Sequence, residues 1–244
     1  MSKALQKNTK TRTDFKAGLK DGLPIGLGYL SVSFAFGVKA SILGLPVLMS
    51  VFISMTNLTS AGQLAGLSII AAIGTILEMI LTQLVINARY FLMSITLSQK
   101  LDSSFSLGKR LFFSAFVTDE IFAVAAAKSN TVSTKYFLGL VILPYLGWTL
   151  GTLFGAAAGS ILPDFITNAL GIALYAMFLA IIIPPCLSTR GVLPVVVLAA
   201  GISCAFKFIP FLSGVPMGIS VIISAIITAA LAAWLFPVKE EAEK

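Results

Sequence analysis

Long apolar runs recur along the whole chain, divided by short polar stretches. They fall at residues 23–41, 45–64, 66–87, 111–127, 136–159, 165–183, 192–208 and 215–236. Most approach the roughly 20 apolar residues that carry a helix across about 30 Å of hydrocarbon. The runs are continuous rather than alternating, which disfavours a transmembrane β-barrel. The pattern predicts an all-α, polytopic helical membrane protein with about seven to eight membrane segments. Connections are short, so residues 22–237 read as a single transmembrane domain. A basic cytoplasmic tail (1–21) precedes it and a charged C-terminal tail (238–244) follows.

Polar positions inside these runs interrupt the pattern, and they attract the chemistry. Asp119 and Glu120 stand in the middle of 111–127, fenced by Lys109, Arg110 and Lys128. A carboxylate at membrane depth costs a few kcal/mol even on lenient insertion scales, so two in a row need a polar partner, a water-filled path or a transport role. Neighbours on a helix lie about 100° apart, so the two side chains are expected to do different jobs. Thr118 and Ser114 are placed to donate to one of them. Glu78 is the single charge in 66–87, and Thr75, Thr82 and Arg89 fall on its side of the helix. Two readings of Glu78 stand: an ion pair with Lys39, Lys207 or Arg89 that locks the bundle, or a group that titrates or meets a substrate amine.

The segment Thr56-Asn57-Leu58-Thr59-Ser60-Ala61-Gly62-Gln63 is the least apolar stretch within any run. Small hydroxylated residues serve close helix packing. Alternatively the helix breaks here, with Gly62 and Gly66 freeing backbone groups for a ligand. Irregular backbone survives at membrane depth only where protein or a water-filled cavity satisfies it. Orientation favours the break. With the N-terminus inside and three full crossings, the basic loop 89–110 would fall outside; a broken or re-entrant 45–64 returns it inside. A faint internal repeat accompanies this: Pro24 and Pro144 each open a Gly-rich run, followed by Ile-Leu-Gly-Leu-Pro (42–46) or Ile-Leu-Pro-Asp (161–164) and another helix.

Composition agrees with a membrane setting. The chain has 244 residues, 57% hydrophobic and 11% charged, where a soluble domain carries about 25% charged residues. Net charge is +7, with Lys3, Lys7, Lys10, Arg12, Lys16 and Lys20 ahead of the first run. That cluster is read as a topological signal holding the N-terminus in the cytoplasm, not as a nucleic-acid contact. The first run is read as a retained helix rather than a cleaved signal. Cys186 and Cys204 are isolated, so neither a disulfide nor a metal site is expected. No cofactor is expected either, and no hydrolase or nucleotide-binding pattern is present. Histidine is absent, which leaves proton handling to carboxylates.

Four motifs carry a family resemblance. Gly28-Tyr29-Leu30-Ser31-Val32-Ser33-Phe34-Ala35-Phe36-Gly37 resembles the opening span of the azaleucine-resistance (AzlC) family of branched-chain amino acid exporters. Gln63 resembles its second motif, Asn87-Ala88-Arg89-Tyr90 its Asn/Asp-x-Arg-His motif, and Thr118-Asp119-Glu120-Ile121-Phe122-Ala123 its Thr-Asp-Glu-x-Phe motif. Together they cover about the first 130 residues; 136–236 match only in hydropathy and spacing. Tyr90 stands where the family usually has His, so no proton relay runs through that position. Leu58 and Ser60 replace an aromatic residue and a Gly, which leaves the exact substrate open.

The resemblance implies export of small neutral, hydrophobic amino acids across a bacterial cell membrane, with a small AzlD-like membrane protein as partner. On this reading Thr59, Ser60 and Gln63, with the Gly-rich start of the first span at Gly26 and Gly28, bind the substrate carboxylate. Asp119 or Glu78 meets the ammonium or carries a coupling proton. Glu120 shares the proton-coupling or gating role, and Arg89 gates or pairs with a carboxylate. The rival readings are a non-transporting scaffold subunit and a channel.

Overall fold

The computed structural model describes residues 2–159, 161–188 and 191–236. Among them the chain is helical, in the order α1 (Ser2–Ile42), α2 (Val47–Thr56), α3 (Ser60–Ala71), α4 (Ile76–Ser98), α5 (Leu107–Ser114), α6 (Asp119–Ala126), α7 (Thr134–Ala158), α8 (Asp164–Ser188), α9 (Val192–Phe208) and α10 (Met217–Leu235). Four stretches are long and apolar enough to cross a membrane: Asp14–Ile42, Ile76–Ser98, Thr134–Ala158 and Met217–Leu235. The described chain forms two compact units. One contains Met1–Gln63 and Asn87–Leu174, the other Leu64–Ile86 and Tyr175–Lys244.

In the first unit α1 packs along α7, the most extensive helix contact. The helices run parallel: residues 15, 26 and 34 of α1 meet 139, 147 and 155 of α7. Between them the backbones touch. A Cβ at Gly155 would collide with the Phe34 carbonyl oxygen, and one at Gly147 with that of Gly26. Lipid tails are as apolar as leucine, so membrane helices gain little from burying apolar surface and associate instead where small residues allow close approach. The four-residue spacing Gly147, Gly151, Gly155, Gly159 was visible in the sequence, and so was Gly18, Gly22, Gly26. The part of the basic tail that reaches this seam is helical and docked: Tyr136 donates to Asp21 at 2.7 Å and Ser133 to Asp14 at 3.1 Å.

Two of the anticipated spans are broken. Run 45–64 divides into α2 and α3 at an extended Asn57–Leu58–Thr59, so the break precedes Ser60, and Gly62 and Gly66 are helical. Run 111–127 divides into α5 and α6 at residues 115–118, which places Asp119 and Glu120 at a helix start rather than mid-span. Eight to twelve residues at 1.5 Å each reach only about 12–18 Å, too short to cross alone. A third boundary moves as well. Run 66–87 is split by a turn at 72–75, and α4 continues through the Tyr90–Ser98 stretch to its end at Ser98.

The turn after α3 repeats the hydrogen-bond pattern that ends α1. At the α1 terminus Leu45 N–H reaches Ala40 O (3.0 Å) and Gly44 N–H reaches Ser41 O (2.9 Å), with Gly44 at φ +82°. After α3, Gly74 N–H reaches Ile69 O (2.8 Å) and Ile73 N–H reaches Ile70 O (3.0 Å), with the left-handed position held by Ile73 at φ 55°. Glycine is the usual occupant of that position. Thr75 then starts α4 by accepting the Glu78 N–H at 3.1 Å.

The core of the first unit is aromatic: Phe105, Phe113 and Phe137 meet edge to face at 5.5–6.2 Å. Lys100 fixes the loop after α4, donating to the carbonyls of Ala126 and, at 2.7 Å, Lys128 at the end of α6. That is a cation at a helix C-terminus, where the macrodipole favours it.

Candidate functional site

The two breaks of the first unit meet around Tyr29 and Trp148. Their rings stand edge to face with centroids 5.2 Å apart, and Leu58 of the first break packs against them with Phe116 of the second. Thr59 caps α3, accepting Gly62 N–H at 3.3 Å. Gln63 braces the open end of α2: its amide donates to the carbonyls of Asn57 and Ile53, which the break leaves without helical partners. Ser54 joins Gln63 at 3.5 Å and Thr152 of α7 at 2.7 Å, tying the break to the seam. Gln63 is therefore occupied in holding irregular backbone together. Ser60, half-buried, opens the first turn of α3.

At the second break Thr118 caps α6 by accepting Ile121 N–H at 3.4 Å. Asp119 and Glu120 form its first turn, where the positive end of the helix stabilises carboxylates. They diverge as one-residue neighbours should. Asp119 Oδ2 pairs with Arg89 Nη2 at 2.9 Å. Glu120 Oε2 lies 2.5 Å from the Tyr29 hydroxyl, which is also 2.7 Å from Thr118 Oγ1. Ser114, the other anticipated donor, instead bonds the Leu111 carbonyl.

Tyr90 joins the two breaks. Its hydroxyl donates to Thr59 Oγ1 at 3.4 Å and accepts from Arg89 Nη2 at 3.2 Å. A chain of contacts thus runs Thr59–Tyr90–Arg89–Asp119. The Arg89 and Asp119 side chains are 45% and 41% exposed. Trp148, missed by sequence reasoning, adds a buried indole N–H that finds no acceptor among the described residues.

Other anticipated residues lie elsewhere. Gly26 is buried in the α1–α7 seam, where a Cβ would meet the Leu143 carbonyl. Gly28 sits on an exposed face of the same unbroken helix. Because α1 is continuous from Ser2, there is no helix start at Gly26 or Gly28 to receive a carboxylate. Glu78 belongs to the second unit. It accepts Gly218 N–H at 2.8 Å at the start of α10, and Arg89, one of its anticipated partners, is committed to Asp119. Thr82 shares the Glu78 face and is fully buried, its hydroxyl unpaired among the described residues. No group of three His, Cys, Asp or Glu side chains suited to a metal gathers among those residues.

Broken helices, one of which starts at Asp119 and pairs it with Arg89 of the continuous α4, within a chain of long apolar helices, define a helical membrane protein. A family model described as the AzlC protein matches residues 24–162, beyond the stretch that the motifs alone cover. The chain belongs to the AzlC family. It is 31% identical over 176 residues to the inner membrane protein YgaZ of Escherichia coli (strain K12), covering 69% of this chain and 72% of that one. An uncharacterized membrane protein of Archaeoglobus fulgidus is 32% identical over 173 residues, covering 70% and 75%. The branched-chain amino acid transport protein AzlC of Bacillus subtilis (strain 168) is 22% identical over 183 residues, covering 73% and 70%. No solved structure matches.

Proposed function

We propose that this protein is a secondary-active transporter that exports branched-chain or similar small hydrophobic amino acids across the bacterial cytoplasmic membrane. The observation that carries this reading is the half-exposed Arg89–Asp119 pair between two helix breaks. An amino acid is a zwitterion. Its carboxylate replaces Asp119 on the Arg89 guanidinium, and its ammonium replaces Arg89 on Asp119. One ion pair opens and two form, so no charge is left uncompensated at membrane depth. When the site is empty the two side chains satisfy each other. The first turn of α3, opened by Thr59 and Ser60, adds backbone N–H groups that favour the same carboxylate. The printed name of the Bacillus subtilis relative supports the substrate class.

Asp119, Glu120 and Glu78 are the carboxylates available for proton coupling, since the chain has no histidine. Of these, Glu120 reaches Tyr29 and so links the second break to the seam helix α1. Residues 22–237 act as one transport domain, the Lys/Arg-rich N-terminus stays in the cytoplasm, and a small AzlD-like membrane protein is the partner.

The test is efflux of labelled leucine from vesicles, with and without the small partner, under an imposed proton gradient. Gradient-dependent efflux that collapses in Asp119→Asn and in Arg89→Gln is the expected result. Flux without any gradient would identify a channel. No flux under any condition, with a stable heteromer, would identify a scaffold.

A further inference from the structure

Beside the ion-pair site lies a second feature that no motif announces. A cavity of about 490 Å³ opens between the C-terminal half of α4, α5 and α7. That size falls within the ~300–1,000 Å³ typical of small-molecule pockets. Its walls are mostly apolar, including Leu97, Phe105, Phe113, Val117 and Phe137. One cation lines it, Arg110. The guanidinium makes only long hydrogen bonds to backbone carbonyls, 3.4 Å to Ser98 O and 3.5 Å to Phe105 O, and among the described residues it has no carboxylate in ion-pair range. A half-buried arginine with unsatisfied forked donors is suited to bidentate capture of a carboxylate. Tyr90 lines this cavity and also bonds Thr59 and Arg89, so the cavity adjoins the ion-pair site through one side chain. Val117 and Ser114 add the edge of the second break.

We propose that this cavity is the specificity chamber for the transported amino acid: Arg110 captures the carboxylate on the way to or from the ion-pair site, while the aromatic and aliphatic walls receive the hydrophobic side chain. This rests on the transport reading above. It assigns a new residue, Arg110, and locates selection for apolar side chains, which the Arg89–Asp119 pair alone cannot provide because every amino acid carries the same two charges. The cavity discriminates by apolar area, so leucine is favoured over alanine, while leucine and isoleucine are separated little.

Transport kinetics of the full chain in vesicles test this, with leucine and alanine as the paired probes. Arg110→Gln is expected to raise the leucine KM roughly tenfold or more with kcat little changed, as loss of a charge-assisted hydrogen bond does. Arg110→Lys should recover part of it. Ser94→Phe, which fills the cavity from α4, should raise the leucine KM and leave alanine nearly unaffected. Thermal unfolding of each variant separates these changes from misfolding. A leucine KM unchanged in both Arg110→Gln and Ser94→Phe would overturn the chamber, while collapse of transport in Asp119→Asn would still uphold the transport reading. Loss of co-purifying anionic lipid from Arg110→Gln, with KM unchanged, would assign the cavity to an acyl chain and overturn the proposal as well. Absence of amino-acid flux in the native protein would sink both.

Discussion

Along the seam between α1 and α7, two long helices run parallel with glycine set against backbone. At the two breaks, short helices end on side chains that must replace their missing backbone partners. Both arrangements occupy the same unit, and Ser54–Thr152 and Tyr29–Glu120 join one to the other. At its glycines the seam leaves no room for an added Cβ. The breaks carry the Gln63 amide, the Arg89 cation and the Asp119 and Glu120 carboxylates. A membrane protein needs the first kind of region to be rigid so that the second can hold irregular backbone in place.

Substitutions should separate the two regions sharply. The largest effect is expected in the seam. Gly155→Leu forces a side chain into the Phe34 carbonyl, and overpacking of this kind costs on the order of 3 kcal/mol or more. Little folded protein should be recovered, as judged by monodispersity in detergent. At the breaks, Arg89→Gln or Asp119→Asn should lower the unfolding temperature much less than the seam substitution, because the pair is half-exposed and no backbone has to move. Leucine transport in each of these variants should fall by about tenfold or more, because each loses one charged contact to the bound zwitterion. The double variant should be worse than either single one, because it loses both contacts to the zwitterion.

Tyr29→Phe spans the boundary between the regions. It removes the hydroxyl that meets Glu120 and Thr118 but keeps the ring against Trp148, so a stability loss of about 1 kcal/mol is expected in chemical unfolding. Thr118→Ala should cost a similar or smaller amount, about 1 kcal/mol, through loss of the α6 cap. The smallest change should be a gain. Ile73 is left-handed and 93% exposed, so Ile73→Gly relieves roughly 1 kcal/mol of backbone strain and should raise the unfolding temperature slightly.

Much of this was legible before any coordinates. Hydropathy placed the long helices, and Thr118-Asp119-Glu120 with Asn87-Ala88-Arg89-Tyr90 marked residues that prove to be neighbours. The divergence of Asp119 and Glu120 follows from helical geometry alone. Charge orientation favoured the break in 45–64, but the break in 111–127 was harder to read. Phe112, Phe113 and Phe116 keep 111–127 apolar straight through the point where the helix stops, and nothing in an apolar count registers a Thr118 cap. Gly26 and Gly28 read as a Gly-rich helix start that could receive a carboxylate, but α1 runs unbroken through both and Gly26 packs against the Leu143 carbonyl. Glu78 has two readings in the sequence, an ion pair or a titrating group that meets a substrate amine; in the fold it accepts the Gly218 N–H at the N-terminus of α10. Arg110 read as a topological charge because its neighbour Lys109 and the loop position disguised the cavity it lines.

The central claim is that a zwitterion replaces the Arg89–Asp119 pair. Competition binding of leucine, its deaminated acid 4-methylpentanoate and its decarboxylated amine 3-methylbutylamine tests it directly, in the native protein and in Asp119→Asn. The native protein should prefer leucine over both analogues. In Asp119→Asn the acid should compete as well as leucine, because nothing remains to recognise the ammonium. An Asp119→Asn protein that folds normally and still prefers leucine by the native margin would contradict the account.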